Sequence, residues 1–374
     1  MINKNRLIKL TQDLIRINSE NPAGNEAEIA RFVKNYLEDM GIRSKVYEFA
    51  KNRANLVALI KGKRQNRSLL ITPHLDTVPR GSNWKFPPFA ATIHQGKIYG
   101  IGATDCKSNL AVSLEVIKSL SEDRVVLGYN LIFAATADEE SGSDLGLIPL
   151  LNKGILKPSL ALILDADDFE IIVTQKGLMH LKVKISGKRA HGAYPWRGKN
   201  AINIAVDILK DLKEKRIHSR KNKYLRPATV NIGTIRGGDK VNVVADWCEF
   251  ELDFRFLPGM QAEQLLADLK NTIKKYSKKF KIEIEGVQKP YLINETHFLV
   301  AQLKAAIKGV GIRPQVKGSE GATVISFFQE KNIPAVACGF GSQGCAHSAN
   351  EYVKIDNLYK GAKVLEGFLK NSNL

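Results

Sequence analysis

The sequence predicts an α/β protein with a mostly parallel central sheet, interrupted by a smaller α+β domain. Three observations carry that prediction. Short apolar runs of strand length (Leu56–Ile60, Ser68–Thr72, Leu131–Ala135, Leu160–Leu164) alternate with segments of helical spacing. Such alternation builds a parallel sheet clad in helices. From about Gly177 to about Tyr291 the texture changes, and apolar residues alternate with lysines and glutamates as in a half-exposed sheet. Finally, His74, Glu139, Glu140 and Asp165 stand just past the ends of apolar runs, where open α/β sheets gather functional residues.

The elements follow in order. Residues 1–10 thread charges through apolar positions, which suits an amphipathic helix and not a signal peptide. Ile29, Phe32, Val33, Leu37 and Met40 recur at helical spacing, with Gly41 as the expected C-cap. Asn109–Leu120 reads as a helix and Leu145–Leu151 as a short one. In the second texture Leu181, Val183 and Ile185 mark a strand, followed by a helix at Ala201–Leu212. Strands are expected at Ala228–Ile235 and Val241–Phe256, a helix at Met260–Tyr276 and a strand at Phe280–Ile284. The α/β texture then returns with helices at 297–309 and 321–330, the strand Ala335–Ala337 and a final helix to Leu369. The expected domains are therefore residues 1–175 with 287–374, and an insert at 176–286.

With 44% hydrophobic residues, a chain of 374 has the material for a sizeable core. The formal net charge is +18, from 56 basic and 38 acidic residues. The lysines are spread over the chain and no nucleic-acid-binding signature is present, so solvated faces explain them and no nucleic-acid partner is expected. A positive field would also steer anionic substrates. Cys106, Cys248, Cys338 and Cys345 form no CxxC pair, which fits the reducing cytoplasm. No run approaches the ~18 uncharged apolar residues of a membrane span, and no membrane partner is expected.

The chemistry-bearing residues form a set. His74 and Asp76 are two apart after a strand and point the same way. His74 can ligate a metal while Asp76 orients its other ring nitrogen. Asp105, in a glycine-bearing turn before a helix, has two oxygens with which to bridge two metals. The side chains of Glu139 and Glu140 diverge, so one can ligate while the other serves as general base. Asp165 ends an apolar strand, and a buried carboxylate there needs a partner such as a cation. His347 follows a glycine-rich stretch and supplies a second imidazole. Its neighbour Cys345 reads as a small buried residue. Each motif alone has a bland alternative: a solvated loop His or Asp, or an acidic residue before a helix N-terminus. Two histidines and several carboxylates together point to a pair of divalent metals and a hydrolase.

Taken together, these motifs resemble the M20 metallopeptidase family. The resemblance spans nearly the whole chain: Ser19–Glu26, His74–Pro79, Trp84, Pro88-Phe89, Gly96, Tyr99–Asp105, Glu139-Glu140, Asp165, Ala190–Pro195, Gly237-Gly238, Asn242, Asp253–Arg255 and Ala346–Glu351. It implies an aminopeptidase-like three-layer catalytic domain with an inserted lid or dimerisation domain, and hence a homodimer. It also implies that His74 and Asp165 hold one metal, Glu140 and His347 the other, and Asp105 both. The metals implied are zinc, with cobalt or manganese as alternatives. Glu139 is implied as the base, Asp76 as the residue that orients His74, and His191 as the group that polarises the substrate carbonyl. Asn242 and Arg255 resemble residues that hold a free substrate carboxylate. The chain departs from the family at Pro73 and Ser108, where glycine is frequent, and at Asp165, where deacetylases and desuccinylases usually carry glutamate. Aspartate there resembles the dipeptidase and aminopeptidase members. The expected reaction is hydrolysis of the amide bond of a small N-acyl amino acid, with a dipeptidase or aminopeptidase as the alternative. A non-catalytic binding protein on this scaffold would be expected to have lost a ligand, and none is lost.

Overall fold

The computed structural model describes residues 1–372 except 23, 215, 216, 218 and 219; Ala23 of the Ser19–Glu26 motif thus lies outside the described residues. The chain divides into two compact units, Met1–Val173 with Ile293–Lys317 and Thr323–Leu374, and Thr174–Leu292 with Gly318–Ala322.

The first unit is built on a long mixed sheet. Its strands run in the order Ser44–Ala50, Arg53–Ile60, Tyr129–Ala135, Arg64–Thr72, Leu160–Ile163, Ala335–Cys338 and Glu170–Gln175. The middle of the sheet is parallel, with Leu69 opposite both Leu131 and Leu160 and Ala335 opposite Ala161. The flanks are antiparallel. The parallel strands are apolar on both faces because helices cover them, which is why they read as unbroken apolar runs. Helix Lys107–Glu122 is buried on nearly every side and packs against Ile355–Asn371 and Lys4–Arg16. Glu26–Glu38 packs on the first two strands, and its C-terminal turn closes at Gly41, whose φ of +73° suits glycine. All four parallel strands end toward the same edge, so the segments carrying His74, Glu139, Asp165 and His347 begin together.

The second unit is a four-stranded antiparallel sheet in the order Thr229–Gly237, Trp247–Phe256, Gly177–Ser186 and Phe280–Gln288. Burial alternates along Gly177–Ser186 and Trp247–Phe256. Leu181, Val183, Phe250, Leu252 and Phe254 face helices Ala201–Glu214 and Ala262–Lys274 and make one core with Ile208, Leu269 and Ile273. Burying one such side chain contributes ~1.5–3 kcal/mol. On the opposite face Lys182 pairs with Glu251 and Glu285, and Lys184 with Glu283. Exposed pairs of this kind add little to stability, so the core holds the sheet and the charges keep its other face wet. A separate two-stranded ribbon pairs Ala190–His191 with Val243–Val244.

Several details differ from the sequence reading: Ser44–Ala50 and Gln315–Ser319 are strands it did not anticipate, and the strand expected over Val241–Phe256 is broken into Val243–Val244 and Trp247–Phe256. The helix expected over 321–330 begins only at Ile325, because Gly321 and its neighbours form an irregular turn. The strand Glu170–Gln175 and the three-residue strands Thr92–His94, Lys97–Tyr99 and Tyr352–Lys354 were not anticipated. No described helix is long and apolar enough to cross a membrane.

Candidate metal centre

The residues of the site arrive from different strands. Arg64–Thr72 runs into Pro73 and His74, and His74 continues the sheet as an isolated bridge to Thr136. The His74 ring is buried, with Nε2 2.8 Å from Asp105 Oδ1 and 3.9 Å from Asp165 Oδ1. His347 approaches from the other side, its Nε2 3.1 Å from Asp105 Oδ2 and 3.0 Å from Glu140 Oε1. The two oxygens of Asp105 thus face two different imidazoles. His74, Glu139 and Asp165 offer ligand atoms within 4.8 Å of one another, as do Asp105, Glu140 and His347.

Asp76 does more than the sequence suggested. His74 Nδ1 lies 3.0 Å from the main-chain oxygen of Asp76 and 3.5 Å from its carboxylate, so the peptide carbonyl is the nearer partner that orients the ring. The carboxylate accepts the N–H groups of Glu139 and Glu140, each at 3.1 Å, and Asn21 Nδ2 at 2.9 Å. It fixes the turn that presents the two glutamates. Asp138 opens that turn at φ +64°, so the chain reverses sharply after the strand Tyr129–Ala135.

Other positioning residues carried no role in the sequence reading. Glu351, buried, accepts the N–H groups of Gly102, Thr104 and Asp105 at 3.0, 2.7 and 3.0 Å. One carboxylate therefore ties the Asp105 turn to the segment that carries His347. Lys107 is fully buried and donates from Nζ to the carbonyl of Ile17 at 2.6 Å. Burial draws its pKa down to about 7. The signal for Glu351 was its place in the Ala346–Glu351 run, and Lys107 stands two residues past the Tyr99–Asp105 run, but a run of letters does not say which carboxylate ligates and which braces. Cys106 shares a cluster with His74 and Asp105. Its sulfur accepts the His74 N–H, and burial pushes its pKa up to about 12. Cys345 is buried and donates to the carbonyls of Ser342 and Tyr352. Asp168 accepts from Asn357 Nδ2 and the Gln343 N–H, as a loop residue.

Electrostatics test whether cations fit. Burial and the neighbouring Asp165 carboxylate push Glu139 well above the usual range. Burial and Asp105 push Asp165 up to about 7, and burial pushes Glu351 up to about 7. Burial opposes ionisation of Asp105 as well, but hydrogen bonds with His347 and His74 hold it below the usual range. Hydrogen bonds with Asp105 and Glu140 push His347 up to about 10. Carboxylates crowded at partly dry strand ends lack positive charge, and imidazole nitrogens among them complete a donor set that zinc, cobalt or manganese accepts. The Asp105 and Asp165 side chains remain 20% and 17% exposed, so the cluster opens to solvent.

In the second unit, the ribbon brings His191 and Asn242 together. Gly192 donates its N–H to the Asn242 carbonyl at 2.7 Å, and a Cβ at Gly192 would stand 2.8 Å from the Asn242 carbonyl carbon. His191 Nδ1 accepts the Ala193 N–H at 3.0 Å, so the neutral ring carries its proton on Nε2. Arg255 belongs to the four-stranded sheet, on the face away from the helices, where its guanidinium holds Asp253 at 2.9 Å.

Imidazoles and carboxylates gathered at the ends of parallel strands make a metal-dependent hydrolase. The chain belongs to Peptidase family M20/M25/M40, which it matches over residues 70–371. It is 33% identical to an uncharacterized metallohydrolase of Methanocaldococcus jannaschii, over 97% of this chain and 98% of that protein. It is 26% identical to the succinyl-diaminopimelate desuccinylase of Orientia tsutsugamushi, over 96% of this chain and 94% of that protein. Its structure is similar to that of a tripeptidase from Staphylococcus aureus, with a TM-score of 0.84 and 28% identity over 99% of this chain and 98% of that one.

Proposed function

We propose that the enzyme uses two divalent cations, zinc or else cobalt or manganese, to cleave the amide bond of a small N-acyl amino acid with a free carboxylate. The observation that carries this reading is the two-sided engagement of Asp105, with an imidazole 2.8 Å from one oxygen and another 3.1 Å from the other. His74 and Asp165 would hold one cation, Glu140 and His347 the second, and Asp105 both. When bound there, divalent cations acidify water and polarise an amide carbonyl.

The chain's own groups do the rest. Glu139 takes a proton from the attacking water and delivers it to the departing amine as the C–O bond forms and the C–N bond breaks. Its raised proton affinity is the direction a base near neutral pH needs. Asp76 holds the Glu139 main chain while this happens. His191, with Nε2 as donor, stabilises the oxyanion. Asn242 and Arg255 receive the substrate carboxylate, and Arg255 exchanges Asp253 for it, a planar fork meeting another carboxylate. The inserted domain pairs two chains. Its sheet supports this with the edge strand Thr229–Gly237, where Ile232 and Ile235 are exposed. Four buried, unpaired cysteines suit the cytoplasm.

A second reading changes only the substrate, to an unblocked dipeptide or a peptide N-terminus. Asp165 in place of glutamate and the similarity to a tripeptidase favour it. A hydrolysis panel with added zinc, cobalt or manganese separates the two: N-acetyl, N-succinyl and N-formyl amino acids against free di- and tripeptides. Turnover confined to N-acyl compounds supports the first reading. Turnover confined to free peptides replaces it with the second.

A further inference from the structure

Behind the turn of Glu139 and Glu140 lies a buried ion network centred on Arg53, in the strand Arg53–Ile60. Arg53 Nε donates to the two oxygens of Glu26 at 3.1 and 2.9 Å, and a terminal nitrogen donates to Asp138 Oδ1 at 2.6 Å. The Arg53, Glu26 and Asp138 side chains are 11%, 0% and 6% exposed. Glu26 Oε1 also accepts the Asp138 N–H at 3.2 Å, and Asp138 Oδ2 accepts the Leu145 N–H at 2.9 Å. Gly24 makes room for the guanidinium: a Cβ there would stand 2.5 Å from Arg53 Cδ and Nε.

A generic buried ion pair would stabilise the fold and nothing more. This one ends on the segment that carries the chemistry. The N–H groups of residues 138, 139, 140 and 145 all terminate on Glu26, Asp76 or Asp138. Asn21 joins the two halves, donating to Asp76 and lying 3.4 Å from Asp138 Oδ1. Asp138 sits in the left-handed region, which a non-glycine residue occupies when its surroundings hold it there. A guanidinium fork reaches both carboxylates from one fixed plane; an ammonium cannot.

We propose that Arg53 is a positioning residue which, through Asp138 and Glu26, aims Glu139 at the reacting water and Glu140 at its cation. The proposal rests on the reading of Glu139 as base and Glu140 as ligand. Arg53→Lys keeps the buried charge and removes the fork. With the best substrate of the panel, its kcat falls ~10–100-fold, the range for groups that orient active-site residues, and KM is unchanged. Cobalt(II) titration of the metal-free protein, followed by visible absorption, shows the weaker of two binding steps loosened by a similar ~10–100-fold. With cobalt saturating, so that a loosened cation does not count, the Arg53 substitution lowers residual kcat no further in a Glu139→Gln background, since residues acting as one unit are not additive. A folded Arg53→Lys variant with wild-type kcat and cobalt binding overturns the proposal. So does a kcat loss that multiplies in full with that of Glu139→Gln. Where Arg53→Lys does not fold, Gly24→Ala displaces the guanidinium without removing a charge and is read by the same two assays. Full kcat in Glu139→Gln sinks the base reading alone, and the cobalt titration then decides on the brace.

Discussion

Glu139 and Glu140 are adjacent, share the same carboxylate acceptor for their N–H groups, and are assigned different work. The geometry behind that assignment is that Glu140 Oε1 reaches His347, whereas Glu139 groups with His74 and Asp165. Glu139→Gln is expected to keep its metal and lose ~10²–10⁴-fold in kcat, the usual contribution of a positioned acid–base group. Glu140→Gln is expected to weaken metal binding at one site. Metal analysis and steady-state kinetics on both variants check this, and the opposite pattern would exchange the two roles. Asp76 shows how a residue read from spacing can have a further task in three dimensions. Two residues apart on an extended chain, it was expected to orient the His74 ring with its carboxylate. The carboxylate lies 3.5 Å from that ring, the peptide carbonyl is closer, and the carboxylate also holds the glutamate turn. Hydrogen bonds to main-chain N–H groups across 63 or more residues leave no pattern in sequence.

At the scale of elements, legibility followed burial. The parallel strands were found because both their faces are dry, which writes an unbroken apolar run. Gly177–Ser186 was found because one face is dry and one wet, which writes an alternation. Strands of three residues, such as Lys97–Tyr99, are too short to write either. Ser44–Ala50 shows no fully buried position and pairs on one side only, so its composition does not betray it. The residues proposed as ligands were legible as histidines and carboxylates past strand ends. The braces were not: Glu351, Lys107 and Arg53 are charged residues whose burial is a property of the assembled fold. Nothing in a local window distinguishes them from surface lysines, arginines and glutamates.

For the whole molecule, the proposed oxyanion donor lies in one compact unit and the proposed metal ligands in the other. His191→Ala is expected to lower kcat ~10²–10³-fold, as when an oxyanion donor is lost, with metal content unchanged. If His191 serves the partner's site, mixing His191→Ala with Glu139→Gln restores part of the activity, because one site of each mixed dimer then has both groups intact. No recovery despite demonstrated subunit exchange would place the histidine in cis or outside the reaction.

The central claim is that Asp105 holds two cations at once, and metal content tests it most directly. The purified chain, stripped with a chelator and reloaded with zinc, cobalt or manganese, is expected to bind about two cations and to regain hydrolysis only when reloaded. Asp105→Ala is expected to bind neither tightly and to remain inactive, because the one carboxylate common to both ligand groups is gone. Full metal content and full activity in Asp105→Ala would contradict the account.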